Sequence, residues 1–213
     1  MENLFRIDGL VYRVMLKIWQ LLLLNFLILM ASLPLITIGA AQTAGFTVTT
    51  HMITKGETEI LATFVTSFKK NFKQSTLLWG ILLLSSSILI INWNYLIQFQ
   101  QWGSWVTIGL GIVTLLVLNL FQYAFFYIAR FDDSFKSTIR NLLKLPIRYP
   151  VRSMLLMIAG GLPLGVMTLS PYTFVFGLYM SCFLGISLVH FFRSYLLLSF
   201  FEKVVERGGE KDK

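Results

Sequence analysis

Long apolar stretches of this chain alternate with short, basic, Phe-rich ones. Residues 18–54, 74–129 and 153–192 carry no Asp, Glu, Lys or Arg. A run of about 20 residues with few charges is long enough to cross a bilayer as a helix. The pattern predicts clear spans at about 18–36, 75–97, 104–129, 152–170 and 172–192. A sixth segment, 38–54, is short, about 25 Å as a helix at about 1.5 Å per residue, and rich in Thr and small residues. Two readings of it stand open: a short span returning across the membrane, or a broken, partly re-entrant segment.

Amphipathic stretches precede the outgoing spans, at about 3–17, 58–73 and 132–145. In the first, Ile7, Val11, Val14 and Ile18 oppose Arg6, Arg13 and Lys17. In the second, Leu61, Phe64, Val65, Phe68 and Phe72 oppose Lys69, Lys70 and Lys73. In the third, Phe131, Phe135, Ile139 and Leu142 oppose Lys136, Arg140 and Lys144. The 3.6-residue period predicts helices, and an apolar face backed by Lys and Arg is the signature of a helix lying in the membrane interface. The last two share the string Phe-x-x-Ser-Phe-Lys, at Phe64–Lys69 and Phe131–Lys136. Either a duplicated hairpin or the common needs of interfacial helices accounts for it.

Charge sets the orientation. Cytoplasmic loops collect Lys and Arg. With 38–54 counted as a span, all 18 basic residues fall on one side. The opposite turns, Leu35–Thr37, Asn92–Gly103 and Ser170–Thr173, carry none. The expectation is an all-α fold: a polytopic helical membrane bundle of about six spans, five plus one short or broken. The interfacial helices and both termini are cytoplasmic, and residues 1–213 form a single membrane-embedded domain in the cell membrane.

Composition narrows function by exclusion. Of 213 residues, 56% are hydrophobic and 13% charged, against about 25% charged in soluble domains. No stretch is long enough for a soluble catalytic or nucleotide-binding domain. The net charge of +8 is spread over span ends rather than pooled, which argues against nucleic acid. Cys182 is the single cysteine, so no intrachain disulfide or Cys metal site forms. Arg6, Arg13 and Lys17 before an apolar run, with Gly39-Ala40-Ala41 after it, mimic a signal peptide. That run is longer than the usual core of about 7–15 residues and contains Pro34, so an uncleaved first span is expected.

The most distinctive string is Leu33-Pro34-Leu-Ile-Thr37-Ile-Gly39-Ala40-Ala41. Pro34 ends a helix, Thr37 can cap the next, and Gly39 permits close approach. It reads either as a broken-helix binding site or as a tight packing turn. Gln42, Asn119 and Gln122 are amides inside spans; they line a small polar cavity or bond between helices. Asn25 and Ser85–Ser87 are also intramembrane. No Asp or Glu lies in any predicted span, which disfavours a proton-coupled pump. His51 and His190 make no convincing zinc site. Arg193 is expected to emerge from the last span and reach the headgroups. Gly177, Ser181 and Gly185, with Gly161 and Gly165, form small-residue ridges for helix packing. The aromatic and amide turn from Asn92 to Trp105 reads as an interfacial belt or a sugar-binding surface. No Ser-His-Asp or Gly-x-Ser-x-Gly arrangement occurs, so no catalytic residue, cofactor or metal is expected and the chain reads as no enzyme. Lys69, Lys70, Lys73, Lys136, Arg140 and Lys144 are the candidate contacts to anionic lipid headgroups.

Three strings together carry a resemblance: Leu33-Pro34-x-x-Thr37-x-Gly39-Ala40; Phe64-x-x-x-Phe68-Lys69-x-Asn71-Phe72-Lys73-Gln74; and Ala129-Arg130-Phe131-Asp132-x-Ser134-x-Lys136-x-Thr138-x-Arg140-Asn141. They resemble the YesL-like family of uncharacterised integral membrane proteins of Gram-positive bacteria. Genes of that family often neighbour sugar-uptake transporters of the ATP-binding-cassette type. The resemblance therefore implies an accessory component linked to carbohydrate uptake, in contact with permease subunits or a membrane sensor. It supplies no site residues. An uncoupled carrier or channel, a structural lipid-binding protein, and association with a second copy of the chain remain the other readings.

Overall fold

The computed structural model describes residues 10–56, 59–99 and 105–209. Arg6 and Ile7 of the first predicted surface helix, and Trp102 in the turn after the third apolar run, lie outside them. Among the described residues every regular element is helical. Helix α1 spans Leu10–Ser32, and a 3₁₀ turn at Leu35–Thr37 leads into α2, Ile38–Thr54. Then come α3 (Ile60–Gln98), α4 (Trp105–Arg130), α5 (Phe135–Arg148) and α6 (Pro150–Met167). Helix α7 (Pro171–Met180) continues through a π turn, Ser181–Gly185, into α8 (Ile186–Gly209).

Four helical stretches are long and apolar enough to cross a membrane: Val11–Ser32, Ile60–Gln98, Trp105–Arg130 and Pro171–Ser199. A fifth arises if Phe135–Arg148 and Ser153–Met167, which meet at 104°, count as one bent span. By length and composition the count is thus four or five, which does not include the 17-residue α2 and does not confirm the expected six. The corner lies at Tyr149, held at φ −134° and ψ 62°, because the ring of Pro150 disfavours helical backbone in the residue before it.

Two boundaries expected from the pattern are absent. Residues 58–73 and 75–97, read as a surface helix followed by a span, form the single 39-residue α3. Lys73-Gln74-Ser75 holds no Pro or Gly, so the switch from amphipathic to apolar marks a change of surroundings and not of backbone. Likewise the described part of 3–17 runs unbroken into α1, which stops just before Pro34.

Helix α2 occupies the centre, touched by α1, α3, α4 and α8. Ten of its residues are buried, from Gly39 round to Met52. Its Thr and Gly content suits that place. Threonine hydroxyls bond across to serines on neighbours: Thr43 to Ser75 at 2.8 Å, Thr47 to Ser67 at 2.7 Å and Thr49 to Ser194 at 2.6 Å. The glycines let helices close in. A Cβ on Gly45 would lie 2.9 Å from Cδ1 of Ile28 on α1. Around α2 lie two apolar clusters. One joins Phe46 to Tyr123 and Phe126 of α4, Leu142 of α5 and Leu197 of α8. The other joins Leu24 and Ile28 of α1 to Val48, Met52, Ile60 and Phe64.

Away from this core the bundle thins. In the second half of α3 the buried residues are Leu82, Leu89 and Leu96, spaced by sevens along the seam with α4. Trp93 donates across that seam to Thr114 at 3.0 Å. Leu84, Ile88, Ile90 and Ile91, like Trp105, Val106 and Ile108 of α4, are exposed. Phe174, Phe176 and Tyr179 of α7 are exposed too. Apolar helix faces of this kind suit lipid, where there is no hydrophobic penalty for leaving them uncovered by protein.

The α1–α2 turn and the α3–α4 turn, expected on one surface, sit at different levels. The Trp79 indole donates to the Leu35 carbonyl at 2.9 Å, so the first turn rests against the middle of α3. From Trp79 to Gln98 is 19 residues, about 28 Å at about 1.5 Å per residue. That nearly equals the bilayer hydrocarbon core of about 30 Å. We therefore expect spin labels at Leu35 and Gln98, on a Cys182→Ser background, to lie on the order of 28 Å apart by pulsed dipolar spectroscopy. A distance below about 20 Å would mean that the two turns share a level after all.

Candidate functional site

In the Pro34–Ala40 break the turn itself, Pro34 to Ile36, is exposed, and the packing begins at Gly39 and Ala40. The Thr37 hydroxyl does not cap α2. It donates backwards, to the Ala31 carbonyl at 2.6 Å and the Pro34 carbonyl at 2.8 Å, closing the end of α1. A Cβ on Gly39 would lie 2.5 Å from the Ser75 carbonyl oxygen, 2.7 Å from Trp79 Cβ and 3.1 Å from Phe125. There is no space for a ligand atom on that side. Gln42 sits half-buried one turn further along α2.

Asn119 and Gln122 form a separate group on the face of α4 that meets α6. Asn119 donates to Leu115 O at 2.8 Å and to Met157 Sδ at 3.2 Å. The Gln122 amide lies against Gly160, where a Cβ would meet it at 2.7 Å. Gly160, rather than the expected Gly161 and Gly165, is the close contact; those two face open space. The buried Oδ1 of Asn119 and Oε1 of Gln122 have no partner among the described residues. The six candidates from Pro34 to Gln122 thus fall into two places and share no cavity. Ser85, Ser86 and Ser87 bond back to carbonyls of their own helix.

Three inward-facing side chains are not where the pattern put them or say more than it did. Arg193 does not reach outward, since α8 runs on past it to Gly209. Its guanidinium stands 5.3 Å from the centre of the Phe46 ring and donates to the Gln122 carbonyl at 2.9 Å. His190, one turn earlier, is buried edge-on to Phe46 at 4.3 Å. Asn25 is the clamp of the π turn. Its Nδ2 donates to the Ser181 and Cys182 carbonyls at 3.0 and 2.8 Å, and its Oδ1 accepts from the Ser187 N–H at 3.0 Å. A π turn leaves carbonyls out of the ordinary ladder, and Asn25 satisfies two of them.

The basic candidates lie at one end. Lys69, Lys73, Lys136, Arg140 and Lys144 are exposed. Lys70 pairs with Asp132 at 2.7 Å, with side-chain exposures of 58% and 74%, so the pair contributes little stability by itself. The linker it touches is held more firmly elsewhere. Gln74 donates to Asp133 O at 3.3 Å and to Thr138 Oγ1 at 2.9 Å. The Tyr127 hydroxyl donates to the Asp133 carboxylate, and Asn141 donates to that hydroxyl at 2.8 Å. The repeated Phe-x-x-Ser-Phe-Lys strings have different roles. Ser67 is buried inside α3, whereas Ser134 precedes α5.

Sequence reasoning missed a cleft. Between α2, the first half of α3 and the end of α4 lies a hollow of about 420 Å³. Thr47, His51, Thr63, Thr66, Ser67, Lys70, Asn71 and Ala129 line it. The signal was present: Thr63, Thr66, Ser67, Lys70 and Asn71 follow i, i+3, i+4, i+7, i+8 spacing, a polar stripe beside the apolar one. Asn71 donates to Ser67 Oγ at 3.3 Å, and that hydroxyl also meets Thr47. These three side chains build the floor.

Packing variants test these assignments. Gly39→Leu should destabilise by about 1–3 kcal/mol or more through overpacking, while Gly80→Ala, with nothing within 4 Å of its Cβ, should be neutral or mildly stabilising. Asn25→Leu keeps the branched shape but strips three hydrogen bonds and should cost about 1–3 kcal/mol. Thermal unfolding in detergent reads both. Wild-type melting of Gly39→Leu would reopen the break as a ligand site, and wild-type melting of Asn25→Leu would remove the clamp.

The stretch from the second half of α1 to near the end of α3 coincides with a recognised sequence family. No curated protein and no solved structure gives a match to the chain. Residues 21–93 match the model of a family described as "Protein of unknown function, DUF624", and the YesL-like resemblance of the chain is consistent with that match.

Proposed function

We propose that this chain is a multi-pass protein of the cell membrane, with its basic end and both termini in the cytoplasm. In this reading it serves carbohydrate uptake as an accessory component, without enzymatic activity, by helix contacts with a transporter permease or a membrane sensor. The carbohydrate link rests on the family resemblance. The contact role is supported by one structural observation: the outer α3–α4 hairpin and α7 present apolar faces that no part of the described chain covers. The interior, by contrast, is closed by hydroxyl pairs and aromatic packing around α2. Anionic headgroups are the proposed partners of Lys69, Lys73, Lys136, Arg140 and Lys144, at about 1 kcal/mol per basic residue near such a surface.

A carrier or channel is the second reading. It is favoured by Arg193, turned inward beside His190, and by the unpartnered amide oxygens of Asn119 and Gln122. Intramembrane charges commonly mark transport paths. Crosslinking in native membranes followed by purification separates the two. Recovery of sugar-transporter permease subunits is expected, and a clean monomer or homodimer would count against the accessory role. Orientation is read on a Cys182→Ser background with an impermeant thiol reagent. Tyr172→Cys should label from outside and Lys136→Cys should not; the reverse pattern would invert the proposed topology.

A further inference from the structure

We propose that the cleft between α2 and the first half of α3 binds a phosphate group. The inference is independent of the accessory role. The lining is rich in donors: Lys70 Nζ, the Asn71 amide, the His51 ring and the hydroxyls of Thr63 and Thr66. The side chains of His51, Thr63 and Thr66 make no hydrogen bond to another described residue. No carboxylate and no aromatic ring other than His51 lines the hollow. A metal cation would lack hard oxygen anions there. A neutral sugar would lack the aromatic face on which its ring packs. An anion with several acceptor oxygens finds charge and directed donors together, and charge-assisted hydrogen bonds are the strong ones.

The surroundings point the same way. Lys55 follows His51 by one turn of chain, Arg130 follows Ala129 of the lining, and Lys69 and Lys73 flank Lys70. The acids nearby are Glu59, one turn before Thr63, and Asp132 on Lys70; the bases outnumber them, and an excess of one sign of charge concentrates ligands of the other. At about 420 Å³ the hollow exceeds a bare phosphate and accommodates a glycerol- or sugar-sized group attached to it. The phosphate belongs either to a lipid headgroup or to a soluble phosphomonoester. Asp132 holds Lys70 at 2.7 Å. A dianionic phosphate offers Lys70 a stronger partner than one exposed carboxylate, so binding exchanges Asp132 for the ligand.

That exchange makes the test two-sided. Full-length protein in nanodiscs of neutral phosphatidylcholine is titrated calorimetrically with inorganic phosphate and with glycerol phosphate. A second arm adds phosphatidic acid to the nanodisc and follows bound lipid by native mass spectrometry. Saturable one-to-one binding is expected in at least one arm, and the responding arm identifies the source. Lys70→Gln should weaken binding roughly tenfold or more, the usual scale for a hydrogen bond to a charged group. Thr66→Val, an exposed and nearly isosteric change, should weaken it several-fold without affecting folding. Asp132→Asn should tighten it. Lys69→Gln removes the same charge outside the cleft and should change binding less than about twofold. Binding in neither arm overturns the proposal. So does equal loss in Lys69→Gln and Lys70→Gln, which would mean diffuse attraction rather than a site.

Discussion

In a bilayer every polar group must find its partner inside the protein, because lipid offers none. Helix α2 is the clearest product of that constraint. It carries Thr43, Thr47 and Thr49 on a 17-residue helix too polar and too short to face lipid comfortably. Each hydroxyl returns to a carbonyl of its own helix and also meets a serine on a neighbour. Those serines sit on α3 and α8, so the pairs fix which helices flank α2 and at what height. Gly39 and Gly45 then set how close the flanking helices come. Remove the cover, and α2 would expose hydroxyls and bare backbone to hydrocarbon.

This explains which parts of the fold were legible. Apolar run length locates helices wherever lipid is the neighbour, as at α4 or the outer half of α3. It fails where protein is the neighbour. Residues 38–54 were ambiguous because a protein-covered helix need not be apolar. Residues 58–73 carry the apolar stripe and lysines of a surface helix, yet Ile60 and Phe64 of that segment pack on Val48 and Met52 of α2, and Ser67 and Asn71 are buried beside them. Arg193 directly follows the last apolar run, 172–192, which is why the pattern sets it at a membrane surface, whereas α8 continues to Gly209. Its true partners, a carbonyl on α4 and the face of Phe46, come from distant sequence and leave no local trace. A guanidinium can rest in such a place because it stacks on a ring while donating in its own plane.

The cleft follows from the same division of α3. Along one continuous helix the first half is held against α2 and the second half against lipid and α4. Serine and threonine at helical spacing serve as packing where a neighbour is tight, as at Thr43 and Ser75. Where the neighbour draws back, the same residue types become a lining. Nothing in the spacing of Thr63, Thr66 and Asn71 tells these apart, since both are polar stripes on a helix face. Only the end of α2 at Thr54, and the departure of α4 into its linker at Arg130, leave the space uncovered.

The stagger between turns has a further consequence for where action is located. With the α1–α2 turn at the level of Trp79, the buried core, the cleft and the exposed basic side chains of α3 and α5 crowd toward one end of the molecule. The other end is two thin hairpins, α3–α4 and α6–α7, with apolar faces outward. A hairpin of that kind is suited to lying against other helices, because it can be covered without displacing protein already in contact. The linker Asp132–Asp133 lies at the basic end, beside the cleft. It is tied to α3 through Lys70 and Gln74, to α4 through Tyr127 and to α5 through Asn141. The Asp133 ties are half-buried and hold the start of α5. The Lys70–Asp132 pair is exposed and adds little to that position. A change at Lys70 can therefore alter the mouth of the cleft while leaving the packing of α5 intact.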